Sequence, residues 1–152
     1  LRIIGPNQQK PDPLPPNVKW IDTSSDPPDQ ALDYPTLCEW YAQCKAVCIP
    51  LSGDADDTCG YTNMLEAMAM RKPVLMTRSG SLHINPETDG FGLQIKPRNS
   101  LDWAHAMNEL LKNNEKALEM GNRGHAIVEQ DYRIERFNQD VLQFIKKIIH
   151  KS

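Results

Sequence analysis

The fold is decided by residues 46–77, which read AVCIPLSGDADDTCGYTNMLEAMAMRKPVLMT. Residues 46–50 and 73–76 are apolar runs of strand length. Between them lie a polar loop, 52–58, that carries three aspartates, and a helical segment within 59–69. A helix that starts just beyond the carboxyl end of a buried strand directs its free amide groups into the crevice where open α/β sheets bind ligands. The stretch therefore predicts a strand, a loop, a helix with an anion-binding tip, and a second strand.

Strands and helices alternate along the rest of the chain. Apolar runs predict strands near residues 1–4, 18–21, 46–50, 73–76 and 91–96. Because strands that alternate with helices form parallel sheets, we expect an α/β fold with a Rossmann-like parallel sheet, flanking helices and a helical C-terminal tail. The spacing also predicts a helix over 34–45, with Tyr41 on its apolar stripe.

Three helices are predicted in the C-terminal tail. The first begins with Ser100 as its cap and has this apolar stripe: Leu101, Ala104, Met107 and Leu111. The second lies around 115–120 and ends near Gly121 and Gly124, because glycine favours helix ends. The third has a long apolar face: Ile134, Phe137, Val141, Phe144, Ile145 and Ile148.

Composition excludes several classes of protein. The chain has 152 residues, enough for one domain, and its net charge of −3 argues against a nucleic-acid partner, which usually requires a basic patch. The apolar runs are much shorter than the roughly 20 residues that span a bilayer, and no signal-peptide pattern opens the chain. Since the first residue is Leu1 and not Met, we expect a fragment or an excised domain.

Cysteine usage favours a reducing compartment. The four cysteines form no CxxC pair, and no histidines are spaced around them as zinc ligands would be. We interpret them as reduced thiols packed as small apolar side chains, which favours a cytoplasmic location. The last helix ends in basic residues that either complement its C-terminal dipole or bind an anionic membrane surface: Lys146, Lys147, His150 and Lys151.

Two neighbouring stretches carry a family resemblance. GYTNMLEAMAMRKPVLMT (60–77) and SGSLHINPETDGFGLQIKP (79–97) resemble the C-terminal, donor-binding half of GT-B glycosyltransferases, and family 4 (glycosyl transferase group 1) in particular. The matching pieces are LEAMA, KPV, Asp-Gly, Gly-Leu and the final Pro, in the family's order. The resemblance covers roughly residues 1–150.

The resemblance implies an activity and a set of site residues. The implied reaction is transfer of a sugar, of the hexosyltransferase type, from a nucleotide-diphosphate sugar such as a UDP-, GDP- or ADP-sugar to an acceptor hydroxyl, with retention and without a metal or cofactor. The implied nucleotide-sugar-binding residues are Gly60, Tyr61, Thr62, Asn63 and Glu66. Glu66 matches the family glutamate that accepts hydrogen bonds from both ribose hydroxyls. A solvated helical glutamate is the structural alternative.

The chain departs from the family pattern near these residues. The first acidic residue of the pattern, which contacts the transferred sugar, falls at Thr58, and the adjacent Asp57 is the candidate to replace it. Arg71 stands where the family commonly ends the helix with glycine, which predicts a slightly strained cap at the surface. Gly80 fits either a sugar pocket or a plain turn, and His83 either a catalytic role or a solvated loop. No catalytic residue is identified by the sequence.

The family architecture also includes parts that this chain lacks. A central strand with its helix, and an N-terminal acceptor-binding domain, precede the matching region in the family. We therefore expect residues 1–152 to be a partial donor-binding domain, inactive alone and prone to self-association through unpaired strand edges. Two alternatives remain open: a sugar-nucleotide epimerase of the same architecture, and a non-catalytic nucleotide-sugar-binding module, which Thr58 favours.

Overall fold

The computed structural model describes residues 1–5, 10–22, 33–52, 59–79 and 83–149. The chain divides into two compact units, Leu1–Trp40 and Tyr41–Ser152.

The first unit contains a small parallel sheet. Strand β1 (Arg2–Gly5) pairs with β2 (Lys19–Asp22) in a register that sets Arg2 opposite Lys19. The Arg2 guanidinium lies 5.6 Å from the centre of the Trp40 ring, a cation–π contact within this unit. Both strands fall where the apolar runs predict them.

Helix α1 (Tyr34–Gln43) begins after Asp33, whose carboxylate accepts a hydrogen bond of 2.7 Å from the backbone N–H of Thr36. The helix ends two residues before the predicted end at Lys45. Near its end, Tyr41 is buried, as its place on the apolar stripe predicts.

The second unit is built on three parallel strands: β3 (Val47–Ile49), β4 (Val74–Thr77) and β5 (Gly92–Ile95), in the order β3-β4-β5. All four side chains of β4 are buried, because a parallel strand in the middle of a sheet is covered on both faces. The five expected strands and the α/β class are confirmed. In the described residues the strands pair as two parallel sheets, one in each unit.

Helices cover the sheet of the second unit: α2 (Tyr61–Ala69), α3 (Ser100–Lys112) and α4 (Asn114–Asp131). The buried residues Leu75, Ile95, Leu110 and Ala117 form one core cluster. On α2, Met64 and Met68 are fully buried. Burial of these side chains holds α2 against the rest of the unit, because tertiary packing provides most of the stability of a short helix.

The predicted cap and apolar stripe of α3 are wrong by about one residue. Asn99, not Ser100, caps the helix, with its side-chain oxygen 3.1 Å from the N–H of Asp102. Leu101 and Leu111 are exposed. The side chains that pack on the core cluster are Trp103, Ala106, Met107 and Leu110. The sequence allows both stripes, and the one that contains tryptophan buries the larger apolar area.

The predicted end of a short helix near Gly121 and Gly124 is also wrong, because α4 runs through both glycines. Both are buried at a close approach: a Cβ at Gly121 would overlap the carbonyl oxygen of Arg71, and one at Gly124 would lie 3.0 Å from Met68 Cγ. These glycines let α4 approach the end of α2, and this packing outweighs their low helix propensity.

Helix α5 (Ile134–Ile149) is confirmed as an amphipathic helix, but none of its residues is buried. Its predicted apolar face is exposed in the described part of the chain. Among the described residues, no helix combines the length and the hydropathy needed to cross a bilayer. None of the four cysteines forms a disulfide, and Cys59 is exposed.

Because Gly121 lies against the backbone of Arg71, we expect alanine at this helix position to destabilise the protein. Gly121→Ala should lower the free energy of unfolding by about 1–3 kcal/mol through overpacking, although alanine normally stabilises a helix interior by about 1 kcal/mol over glycine. Urea unfolding of the variant measures the change. Glu119→Ala, at an exposed position of the same helix, should change stability by no more than about 0.5 kcal/mol. A stabilised Gly121→Ala protein would contradict the packing described for α4.

Candidate functional site

The candidate site begins at Gly60, which precedes α2. Gly60 has a φ of +81°, a left-handed conformation that side chains disfavour. A Cβ at this position would also overlap Ile49 Cγ2 at the end of β3. Two separate features therefore require glycine here: the left-handed backbone conformation and the close approach to the strand. The result is that α2 starts directly at the carboxyl end of β3.

The first turn of α2 contains backbone N–H groups that have no partner within the helix. The first intrahelical bond runs from the N–H of Met64 to the carbonyl of Gly60, 2.9 Å, so the helix itself provides no partner for the amides of Tyr61, Thr62 and Asn63. Gly60 provides no side-chain cap, and the first turn carries no acidic residue. Thr62 and Asn63 are exposed. Within the described residues these amides have no acceptor, and they lie at the positive end of the helix dipole.

Glu66 lies one turn further along α2 and is partly buried. Its Oε2 accepts a hydrogen bond of 2.8 Å from the hydroxyl of Tyr41. This contact argues against the solvated-glutamate alternative, because one carboxylate oxygen is engaged by a buried tyrosine. This hydrogen bond was not predicted from the sequence, although a tyrosine on an apolar stripe signals a buried hydroxyl that needs a partner.

The Tyr41 hydroxyl remains a donor at physiological pH. Burial of the ring raises the pKa of Tyr41 far above its ordinary value, and the hydrogen bond to Glu66 and its negative charge act in the same direction. A side-chain hydrogen bond with Asn63 has the opposite, smaller effect. The neutral phenol therefore keeps its proton directed at the carboxylate.

The side chain of Tyr61 contacts Tyr132 at the end of α4. Its hydroxyl lies 3.0 Å from that of Tyr132, and the two rings meet edge to face with centres 6.3 Å apart. Burial and this hydrogen bond raise the pKa of Tyr61. Because its hydroxyl is engaged, the backbone N–H is the part of Tyr61 left for a ligand at the tip.

The end of α2 confirms the strained cap expected at Arg71. Arg71 has a φ of +56°, and its side chain donates to Asn122 Oδ1 at 3.2 Å. Next to it, Lys72 Nζ donates to the carbonyl of Ala42 at 2.8 Å. This bond fastens the residue after Tyr41 to the turn that follows α2.

Among the described residues of the second unit there are at least two cavities, and neither was predicted from the sequence. One, of about 370 Å³, is at the carboxyl ends of β3 and β4; its lining residues are Pro50, Leu51, Ser52, Thr77, Arg98, Asn99, Ser100 and Trp103. Leu51 also lies beside Gly60. The other, of about 280 Å³, is polar and is lined by His83, Asp89 and Arg123 among others. Glu66 lines neither of these cavities.

Several predicted site residues lie outside the described part of the chain. They are Asp57 and Thr58, the two candidates for the sugar-contacting position, together with Gly80. His83 is described and exposed. Within the described residues, no group of three histidine, cysteine or acidic side chains is placed to hold a metal ion. Asp54 and Asp56 lie outside the described residues.

Sequence and structure comparisons identify similar proteins. The model of the family described as glycosyl transferases group 1 matches residues 1–113. Among curated protein sequences, none is similar enough to this chain to count as a relative.

Three solved structures share the fold. Sucrose-phosphate synthase from Thermosynechococcus elongatus has 20% identity and a TM-score of 0.68, over 89% of this chain and 31% of that one. Anabaena HepE in complex with UDP has 19% identity and a TM-score of 0.59, over 86% and 32%. The C-terminal domain of a glycosyl transferase group 1 protein, LpcC, from Francisella tularensis has 21% identity and a TM-score of 0.55, over 77% and 54%. At these identities the likeness shows the fold, and it confirms the predicted architecture.

The two constraints on Gly60 predict a large effect of a single methyl group. Gly60→Ala should lower the free energy of unfolding by about 1–2 kcal/mol for the left-handed backbone, and by about 1–3 kcal/mol more for the overlap with Ile49.

Gly90→Ala is the matched control for Gly60→Ala. Gly90 has a φ of +78°, but a Cβ there would lie 3.7 Å from Arg123 Cγ, an ordinary contact. Chemical unfolding should therefore show the backbone penalty alone for Gly90→Ala. Equal losses in the two variants would contradict the close approach of α2 to β3.

Proposed function

This chain belongs to the glycosyl transferase group 1 family, and we propose that it supplies the nucleotide-sugar-binding part of an enzyme that transfers a sugar to an acceptor hydroxyl. The observation that carries this proposal is the arrangement at the start of α2. Amides without an intrahelical partner lie at the tip of α2 beside the end of β3, and the carboxylate of Glu66 follows one turn later. The chain spans about a third of sucrose-phosphate synthase and HepE, 31% and 32%, so the activity of the whole protein is part of the proposal.

The helix tip is suited to the diphosphate of the donor. When the bond from the sugar C1 to the diphosphate breaks, negative charge builds on the leaving phosphate. Preorganised donors accelerate such a step when they lie where the charge develops. In this proposal the amides of Tyr61, Thr62 and Asn63 provide those donors, and the hydroxyl of Thr62 adds another.

Glu66 is suited to the ribose of the same ligand. A carboxylate is an acceptor with about four lone-pair directions on two oxygens, which matches a pair of adjacent hydroxyls. Because Glu66 lies four residues beyond Thr62, the two backbone positions are about 6 Å apart along the helix axis. The same helix can thus hold the diphosphate at its tip and the ribose beside it. The UDP in the HepE structure supports this class of ligand.

The proposal also covers the type of transfer, the binding of the acceptor and the location of the protein. Transfer is of the hexosyl type, proceeds with retention and requires neither a metal nor a cofactor, as the resemblance to family 4 implies. The acceptor is bound mainly by another domain of the intact protein, and this chain alone is inactive and self-associates. The protein acts in the cytoplasm, with peripheral contact to a membrane surface as a further proposal. Asp57 or Thr58 contacts the transferred sugar.

The test of the proposal is the binding of nucleotide diphosphates to the intact protein. Calorimetric titration with UDP, GDP and ADP should detect binding of at least one of them. Glu66→Ala should weaken that binding by about 1–3 kcal/mol, because a charged acceptor of two hydrogen bonds is lost. Circular dichroism should verify that each variant is folded.

Glu119→Ala removes an exposed helical carboxylate elsewhere and should leave the affinity unchanged. An intact protein that binds none of the three nucleotides would refute the proposed function. Equal affinities of the Glu66→Ala and unaltered proteins would remove Glu66 from the site.

A further inference from the structure

Hydrogen bonds to the backbone and burial of the residue hold Tyr41 in place. Its carbonyl accepts hydrogen bonds from the backbone N–H and the Sγ of Cys44, at 3.3 Å and 3.2 Å. The carbonyl of the next residue, Ala42, accepts from Lys72 Nζ at 2.8 Å. Tyr41 as a whole residue is only 8% exposed. The hydroxyl of Tyr41 therefore contacts Glu66 from a residue whose position is fixed.

The contact gives Glu66 an orientation that it would otherwise lack. A glutamate at a partly exposed helix position samples several rotamers, and fixing one of them on binding lowers affinity. The hydrogen bond of 2.8 Å from Tyr41 holds Oε2 before any ligand arrives. This bond occupies one of about four lone-pair directions of the carboxylate, and the remaining three are enough for two ribose hydroxyls.

We propose that Tyr41 is a positioning residue, whose hydroxyl preorganises the Glu66 carboxylate to receive the adjacent hydroxyls of a ribose. The inference rests on the proposed function, because it concerns the same ligand. Its consequence is selectivity: the 2′- and 3′-hydroxyls together fit a fixed carboxylate, whereas a ligand without the 2′-hydroxyl leaves part of that acceptor unpaired.

The raised pKa of Tyr41 agrees with this role. Burial, followed by the bond to Glu66 and its charge, disfavours the phenolate. The hydroxyl therefore stays protonated, and the positioning bond persists across the physiological pH range.

The experiment compares UDP with 2′-deoxy-UDP as ligands of the intact protein, by calorimetric titration. The unaltered protein should bind UDP more tightly. Tyr41→Phe keeps the buried ring and removes the hydroxyl, and it should weaken UDP binding about five- to tenfold. The loss for 2′-deoxy-UDP should be smaller, so the ratio of the two affinities should fall. A purely structural role of Tyr41 would weaken both ligands equally and leave the ratio unchanged.

Two further variants sharpen the comparison. Tyr34→Phe removes a phenol hydroxyl from the same helix at a side chain that is 67% exposed, and it should not change the ratio. In a Glu66→Gln background, Tyr41→Phe should cause little additional change in the ratio, because the two residues act through one bond. Additive effects of the two substitutions would overturn the inference.

The outcomes separate this inference from the proposed function. If UDP binds and Tyr41→Phe leaves the ratio unaltered, the positioning role is overturned and the proposed function stands. If UDP does not bind, GDP and ADP replace it, each with its 2′-deoxy form. An intact protein that binds none of them overturns both.

Discussion

The site depends on one steric constraint, the contact between Gly60 and the end of β3. With a φ of +81° and no room for a Cβ beside Ile49, the chain can turn here only through glycine. This turn lets α2 begin at the carboxyl edge of the sheet, where its fully buried Met64 and Met68 then fix the direction of the helix. The positions of the amide tip and of Glu66 both follow from that direction.

The N-terminal tip of α2 and the carboxylate of Glu66 favour ligand groups of opposite character. The tip carries the partial positive charge of the helix N-terminus and favours an anion, whereas the carboxylate one turn later favours hydrogen-bond donors. A ligand that suits both must combine an anionic group with adjacent hydroxyls a few ångströms away, because the two positions lie one helical turn apart. A nucleoside diphosphate has these features, and the buried Tyr41 stabilises the acceptor end of the site through Glu66.

The sequence predicted those parts of the molecule that depend on local pattern. The five strands, α2 and the amphipathic α5 follow from apolar periodicity and were found where expected. The apolar stripe of α3 was wrong because two stripes fit its sequence, and only the sheet selects the one with Trp103. Gly121 was misread as a helix end because its reason, the carbonyl of Arg71, lies 50 residues away in the chain. The bond between Tyr41 and Glu66 spans 25 residues and is likewise a product of the fold.

The central claim is that the amide tip of α2 binds the diphosphate of a nucleotide. The most direct measurement is the NMR shift of backbone amides in ¹⁵N-labelled intact protein during titration with UDP, GDP or ADP. The account predicts that the largest saturable shifts occur at Tyr61, Thr62 and Asn63. Saturable shifts concentrated around the cavity near Arg98 and Trp103, with the tip amides unmoved, would contradict it.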